Sequence, residues 1–215
     1  MSQEPRPRLI YFADTMCSWC YGFAPEMNRV MLAMGERFDL ILQAGGLRPF
    51  NTEVMTDAMK PRFRGYRESV QAASGQPFDW AFFERQGYIM DTEPASRAVV
   101  TMRSLNIGAA YPYMHAIQRA YFALNEDIRD AELLAAYAGQ FEVEPQAFRE
   151  AFASDAMKQA TLADFDLARR FQVNGFPCLV LLKGTSAYQV GNGYAKAEVI
   201  MEQLERALAH EIGEA

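Results

Sequence analysis

Histidine occurs only twice and cysteine only three times in 215 residues. Three cysteines are too few, and too odd in number, for the dense disulfide framework of a small secreted domain. Two histidines leave little choice of base for a cysteine–histidine hydrolase, and neither His115 nor His210 sits in a motif for one. A basic run is also missing. Twenty-one Lys+Arg stand against 27 Asp+Glu, a net charge of −6, so no stripe exists to lie along a phosphate backbone and nucleic acid is a poor partner. Apolar runs such as Leu179 to Leu182 fall far below the ~20 residues that span a bilayer. Met1 to Arg8 is polar, and Leu9 to Ala13 is shorter than the roughly 7-residue core of a signal peptide, with no small-residue cleavage site behind it. The expectation is a cytoplasmic protein with no membrane partner.

What is present suffices for a core: half the residues are hydrophobic and 22% are charged. The length suits one fair-sized domain, or one domain carrying a large insertion. Leu9 to Ala13 is a continuous apolar run, as expected of a strand buried on both faces. Phe23, Met27, Val30, Met31 and Met34 then recur at helical spacing up to Gly35, and Pro25 should kink that helix without ending it. Asp39 to Ala44 reads as a second strand, closed by Gly45-Gly46 and Pro49.

From about Thr52 to Gln172 the periodicity is almost wholly helical. Ala95 to Leu105, Met114 to Leu124, Leu133 to Phe141, Phe148 with Phe152, and Leu162 with Phe165 and Phe171 mark successive helices. The aromatic stretch Phe78 to Phe83 is read as their core. Strand patterning returns at Cys178 to Lys183 and Ala187 to Val190 around the turn Gly184-Thr185-Ser186, and a Gly191-Asn192-Gly193 loop leads into a last helix with Ile200, Leu204 and Leu208. The order is β-α-β, helical block, β-β-α. The predicted domains are residues 1–51 with 173–215, and an inserted helical subdomain at 52–172, with a substrate cleft between them.

Cys17-Ser18-Trp19-Cys20 lies where the first strand meets the first helix. Unpaired backbone N–H groups and the helix dipole favour an anion there, and the thiolate is the attacking species in disulfide exchange. Cys20, one turn further in, is placed to attack the resulting mixed disulfide. A structural zinc needs four ligands, and outside this pair only Cys178, His115 and His210 remain, without metal-ligand spacing, so no metal site is expected.

The strand, the C-x-x-C, the proline-bearing helix, the second strand, the helical insertion and the closing β-β-α together resemble the DsbA-type branch of the thioredoxin fold over nearly the whole chain. Cys17-Ser18-Trp19-Cys20-Tyr21-Gly22-Phe23, Pro25 and Asn174-Gly175-Phe176-Pro177 are its local marks, the first being similar to the cytoplasmic FrnE-like subgroup. The resemblance implies an α/β fold with a thiol–disulfide oxidoreductase activity. It assigns Cys17 as nucleophile and Cys20 as resolving thiol. Pro177 is then a cis proline facing them, with the Phe176 backbone orienting an extended substrate.

The sequence departs from the pattern in three ways. Ser18-Trp19 replaces Pro-His, so no imidazole stabilises the thiolate and a strongly oxidising potential is not implied. Phe176 is bulky where a small or β-branched residue is usual. Tyr11 stands six residues before Cys17, where such proteins hold a buried acid, leaving Asp14 as the nearest alternative proton acceptor. Trp19, beside Met16, is a candidate apolar docking residue, and Cys178 is either a third redox thiol or a small buried hydrophobe.

The expected substrate is a disulfide-containing or thiol polypeptide, or a small disulfide. No metal or organic cofactor is required, and glutathione is a candidate electron partner. Two other readings share this architecture. One is a glutathione-dependent isomerase or transferase of the kappa-like type, which usually has serine in place of Cys17. The other is a non-catalytic adaptor that presents clients to a protease.

Overall fold

In the computed structural model, residues 6–209 are described. Met1 to Pro5, part of the stretch weighed as an export signal, and His210 lie outside the described residues. The elements run β1 (Arg8–Ala13), α1 (Ser18–Met34), β2 (Asp39–Ala44), α2 (Lys60–Ser74), α3 (Glu93–Leu105), α4 (Ala110–Ala123), α5 (Ala131–Gly139), α6 (Pro145–Ala153), α7 (Asp155–Arg170), β3 (Cys178–Lys183), β4 (Ser186–Asn192) and α8 (Ala197–Ala209).

The four strands form one mixed sheet in the order β2-β1-β3-β4. β1 pairs parallel with β2 and antiparallel with β3, and β3 pairs antiparallel with β4. Strand β1 is interior to the sheet, and every residue after Arg8 is buried, which is why its sequence is apolar without alternation. Its two faces enter different cores. Leu9, Tyr11 and Ala13 join Leu179 and Leu181 beneath Met27 and Val30 of α1 and Ile200 and Leu204 of α8. Ile10 and Phe12 join Cys178 and Val180 against Ala168 of α7. The first core continues without a break into the inserted helices, through Phe78, Phe82, Tyr113, Tyr121 and Phe148. Tyr21 of α1 stacks on Phe122 of α4, with ring centroids 5.0 Å apart, and so joins the two parts.

Helix α1 passes through Pro25 without ending. Its interior Gly22 is there for close approach, since a Cβ would lie 2.4 Å from Val70 of α2.

Helix α2 is not among those marked in the sequence, because its buried face is Arg67 with Val70 and carries no apolar stripe. Two local expectations need correction. Leu162, assigned to a buried stripe, is 37% exposed, and α7 buries Thr161, Asp164, Phe165 and Ala168 instead. Gly191 and Asn192 belong to β4 and not to a loop. Gly191 answers to packing: a Cβ would meet Ile200 at 2.9 Å and Leu179 at 3.3 Å.

Candidate active site

The turn between β1 and α1 is built by Asp14. Its carboxylate accepts the Met16 amide at 2.9 Å, and its carbonyl accepts the Cys17 amide at 3.3 Å. This turn places Cys17 in extended conformation (φ −80°, ψ 113°) as the residue that precedes the first helical turn. The Cys17 sulfur thus lies at the helix mouth, where backbone N–H groups have no intrahelical partner. Cys20 is one turn inside, fully buried, and close enough to Cys17 to hydrogen bond with it. All three cysteines are free thiols.

Across from the pair runs the segment before β3. The Phe176–Pro177 peptide bond is cis, and the Cys17 thiol donates toward the Phe176 carbonyl at 3.6 Å. The Pro177 carbonyl is held by the Gly193 amide at 2.7 Å, which fastens this segment to the end of β4. Trp19 is half-buried beside the pair, its ring 5.6 Å from that of Tyr194. A cavity of about 290 Å³ opens in front of Cys17. Met16, Trp19 and Phe176 wall one side, and Phe63, Arg67 and Phe122 come from the inserted helices.

Burial pushes the Cys20 thiol well up from its ordinary range, and the neighbouring Cys17 sulfur and the Asp14 charge add to this; a backbone hydrogen bond at Asp14 opposes them. Cys20 therefore holds its proton tightly, as suits a thiol that reacts second. Tyr11 faces the same core, with a fully buried hydroxyl that adjoins Cys20 but makes no hydrogen bond of good geometry. Asp14 is buried, and desolvation raises its carboxyl from 3.8 to about 6, even though the Leu47 and Met16 amides bond to it.

The model of the DSBA-like thioredoxin domain matches residues 8–209. The chain belongs to that family. Among solved structures it is similar to a putative protein disulfide isomerase from Nitrosomonas europaea, with TM-score 0.90 and 32% identity over 95% of this chain and 98% of that one. It shares the fold of the cytosolic disulfide reductase DsbM from Pseudomonas aeruginosa, with TM-score 0.75 and 21% identity over 94% of this chain and 98% of that one. A probable DsbA oxidoreductase from Streptomyces coelicolor has the same fold, with TM-score 0.75 and 18% identity over 97% and 93%. No curated protein is significantly similar.

The family's fold brings Cys17, Cys20, Asp14, Trp19, Phe176 and Pro177 to one sheet edge and sets Cys178 apart. Cys178 points to the opposite face, into the core with Phe12 and Val180; burial raises its thiol, and its sulfur receives only a long 3.9 Å contact from Gln189. The cavity walls Phe63, Arg67 and Phe122 were not singled out from the sequence. They come from helices about fifty residues and more beyond Cys17, and no local motif marks them.

Two outcomes follow from this geometry. Because the Asp14 pKa is higher folded than unfolded, the folded state binds the extra proton. Its contribution to stability is greatest below pH 3.8 and is lost as pH rises toward about 6. Asp14→Asn should remove a fall of roughly 2 to 3 kcal/mol across that window, read as the difference between wild-type and variant denaturant midpoints at each pH. Gly45 lies under Phe176, where a Cβ would come within 2.2 Å of its ring. Gly45→Ala should therefore displace Phe176 and slow disulfide exchange about 10- to 100-fold while far-UV circular dichroism stays unchanged.

Proposed function

We propose that the protein is a cytoplasmic dithiol–disulfide oxidoreductase, close in type to the FrnE-like subgroup, in which Cys17 attacks and Cys20 resolves. The observation that carries this reading is the Cys17 thiol at the mouth of α1, aimed at the carbonyl before the cis Pro177 and open to a cavity. The Cys17 thiolate attacks one sulfur of a disulfide, that S–S bond breaks, and the departing thiolate takes up a proton. Cys20 then attacks the Cys17 sulfur and releases the second substrate thiol. Two electrons pass to the substrate and a Cys17–Cys20 disulfide remains, to be reduced by an external thiol.

Asp14, with a carboxyl near pH 6, is the nearest group to accept the Cys20 proton. Cys20, in the first turn of α1, senses the Asp14 charge from the preceding loop, whereas the Tyr11 hydroxyl is a donor at neutral pH. Trp19 and Phe176 supply the apolar contact for the substrate. That DsbM, which shares the fold, is a cytosolic reductase with a structure bearing GSH supports both the compartment and glutathione as electron partner. No described helix is long and apolar enough to cross a membrane.

Insulin reduction driven by dithiothreitol tests the reading. Wild type should accelerate precipitation of the insulin B chain and Cys17→Ser should not; equal rates for the two would reject it.

A further inference from the structure

Arg67 projects from α2 into the base of the cavity that Cys17 faces, and only 3% of it is exposed. A buried guanidinium ordinarily has a carboxylate beside it, because an uncompensated charge away from water is costly. Arg67 has none among the described residues. Its surroundings are aromatic faces: its central carbon lies 3.8 Å from the Phe82 ring centroid, 5.0 Å from Phe122 and 5.1 Å from Phe83. The Tyr121 hydroxyl adjoins it, yet neither that oxygen nor Nη1 of Arg67 makes a hydrogen bond of good geometry. Rings partly solvate a cation but accept none of its five N–H donors in the plane of the fork.

The rest of the cavity has the same sign. Its wall holds a second cation, Arg48, and no aspartate or glutamate, in a chain whose net charge is −6. Arg48 is held loosely, 3.5 Å from a largely exposed Glu53. At about 290 Å³ the space is at the small end of ligand pockets, which favours one small molecule over a stretch of polypeptide. An acid seated on a guanidinium makes paired, charge-assisted hydrogen bonds, and here it would do so out of water.

We propose that the cavity selects small disulfides and thiols that carry a carboxylate, with Arg67 taking the carboxylate while the ligand sulfur meets Cys17. The inference rests on the oxidoreductase reading, which supplies the chemistry: Cys17 displaces one half of the small disulfide as a thiol, Cys20 displaces the other, and dithiothreitol in the assay restores the dithiol. Arg67 breaks no bond. It is a positioning residue for the charged end of the substrate.

The test compares three disulfides with two carbons between sulfur and the terminal carboxylate, hydroxyl or ammonium group: dithiodipropionate, bis(hydroxyethyl) disulfide and cystamine. Each enzymic kcat/KM is divided by the rate of the same disulfide with dithiothreitol alone. Wild type should favour the dicarboxylate over the neutral disulfide by about tenfold or more, with cystamine slowest. Arg67→Met should erase that ratio through KM, and Arg67→Lys, which keeps the charge but not the fork, should retain part of it. No preference in wild type, or a preference that survives in Arg67→Met, overturns the proposal and leaves the oxidoreductase reading standing.

Binding is read separately with methylthiopropionate, which cannot exchange, through tryptophan fluorescence in a Trp80→Phe background, which leaves Trp19 in the cavity wall as the reporter. A saturable change with the acid and none with its methyl ester is expected even if Arg67→Met fails to fold. The same response to both overturns the proposal. Failure of every disulfide to react would sink the oxidoreductase reading, while this titration would still decide whether the cavity takes carboxylates.

Discussion

Cys20→Ser is expected to turn over disulfides ~1,000-fold more slowly than wild type and to accumulate a covalent adduct. Cys17 keeps its place at the mouth of α1 and its contact with the Phe176 carbonyl, so the first displacement proceeds. The second cannot, because a hydroxyl one turn inside the helix is not a thiolate. Intact-mass measurement after mixing with an insulin fragment or a small disulfide should show one substrate half per chain, released by dithiothreitol. Cys17→Ser should be as inactive but form no adduct, since Cys20 is fully buried and its thiol is pushed up by desolvation. An adduct on Cys20 in that variant would reverse the assigned roles. Cys178, on the far face of the sheet, should contribute nothing: Cys178→Ala should match wild type in rate.

Asp164→Ala should destabilise the fold by about 3 to 5 kcal/mol and lower the melting temperature by roughly 10 °C or more. The Asp164 carboxylate receives both terminal nitrogens of Arg103 at 2.8 Å, and its Oδ2 also accepts the amide of Ala44 at 2.9 Å. One side chain of α7 thus holds α3 and the last residue of β2 together. Both partners are mostly out of water, with side-chain exposures of 5% for Asp164 and 20% for Arg103. Removing the carboxylate leaves the strand-end amide without its acceptor and the guanidinium without a counter-ion, held only by the Leu42 carbonyl and the Gln43 side chain. Equilibrium urea denaturation measures the loss. The paired change Asp164→Leu with Arg103→Met should cost less than the single one, because no buried charge is then stranded. Gly45 and Gly46 follow Ala44 directly and pack on Phe176 and Phe165, so the single variant should also lose activity beyond what its unfolded fraction explains.

The elements that were legible in advance are those whose signal is carried by neighbours along the chain. The two-faced burial of β1 shows as an unbroken apolar run, α1 as an apolar stripe ending at Gly35, and the β3–β4 hairpin as two runs about Gly184-Thr185. Helix α2 was hidden because an arginine occupies its buried face, and apolar periodicity cannot register a cation that aromatic rings from other segments enclose. Gly191 resembled a loop glycine because its reason is the proximity of Ile200 and Leu179, residues that only the packed sheet and α8 bring to it. The alternation along β3 also sent Cys178 to the opposite face from Leu179, although it adjoins Pro177 in sequence.

The β-α-β opening, the closing β-β-α and the thiol pair at a strand-to-helix junction were determined by sequence alone, since backbone periodicity and helix-end electrostatics act over a few residues. Tertiary structure alone decided that Asp14 holds its proton up to about pH 6, that Cys20 holds its own more firmly than an ordinary thiol, and that Arg67 stands without a counter-ion before Cys17. Those properties depend on how much water is excluded and which charges stand nearby. Both are set by side chains that meet only when the inserted helices close over the sheet.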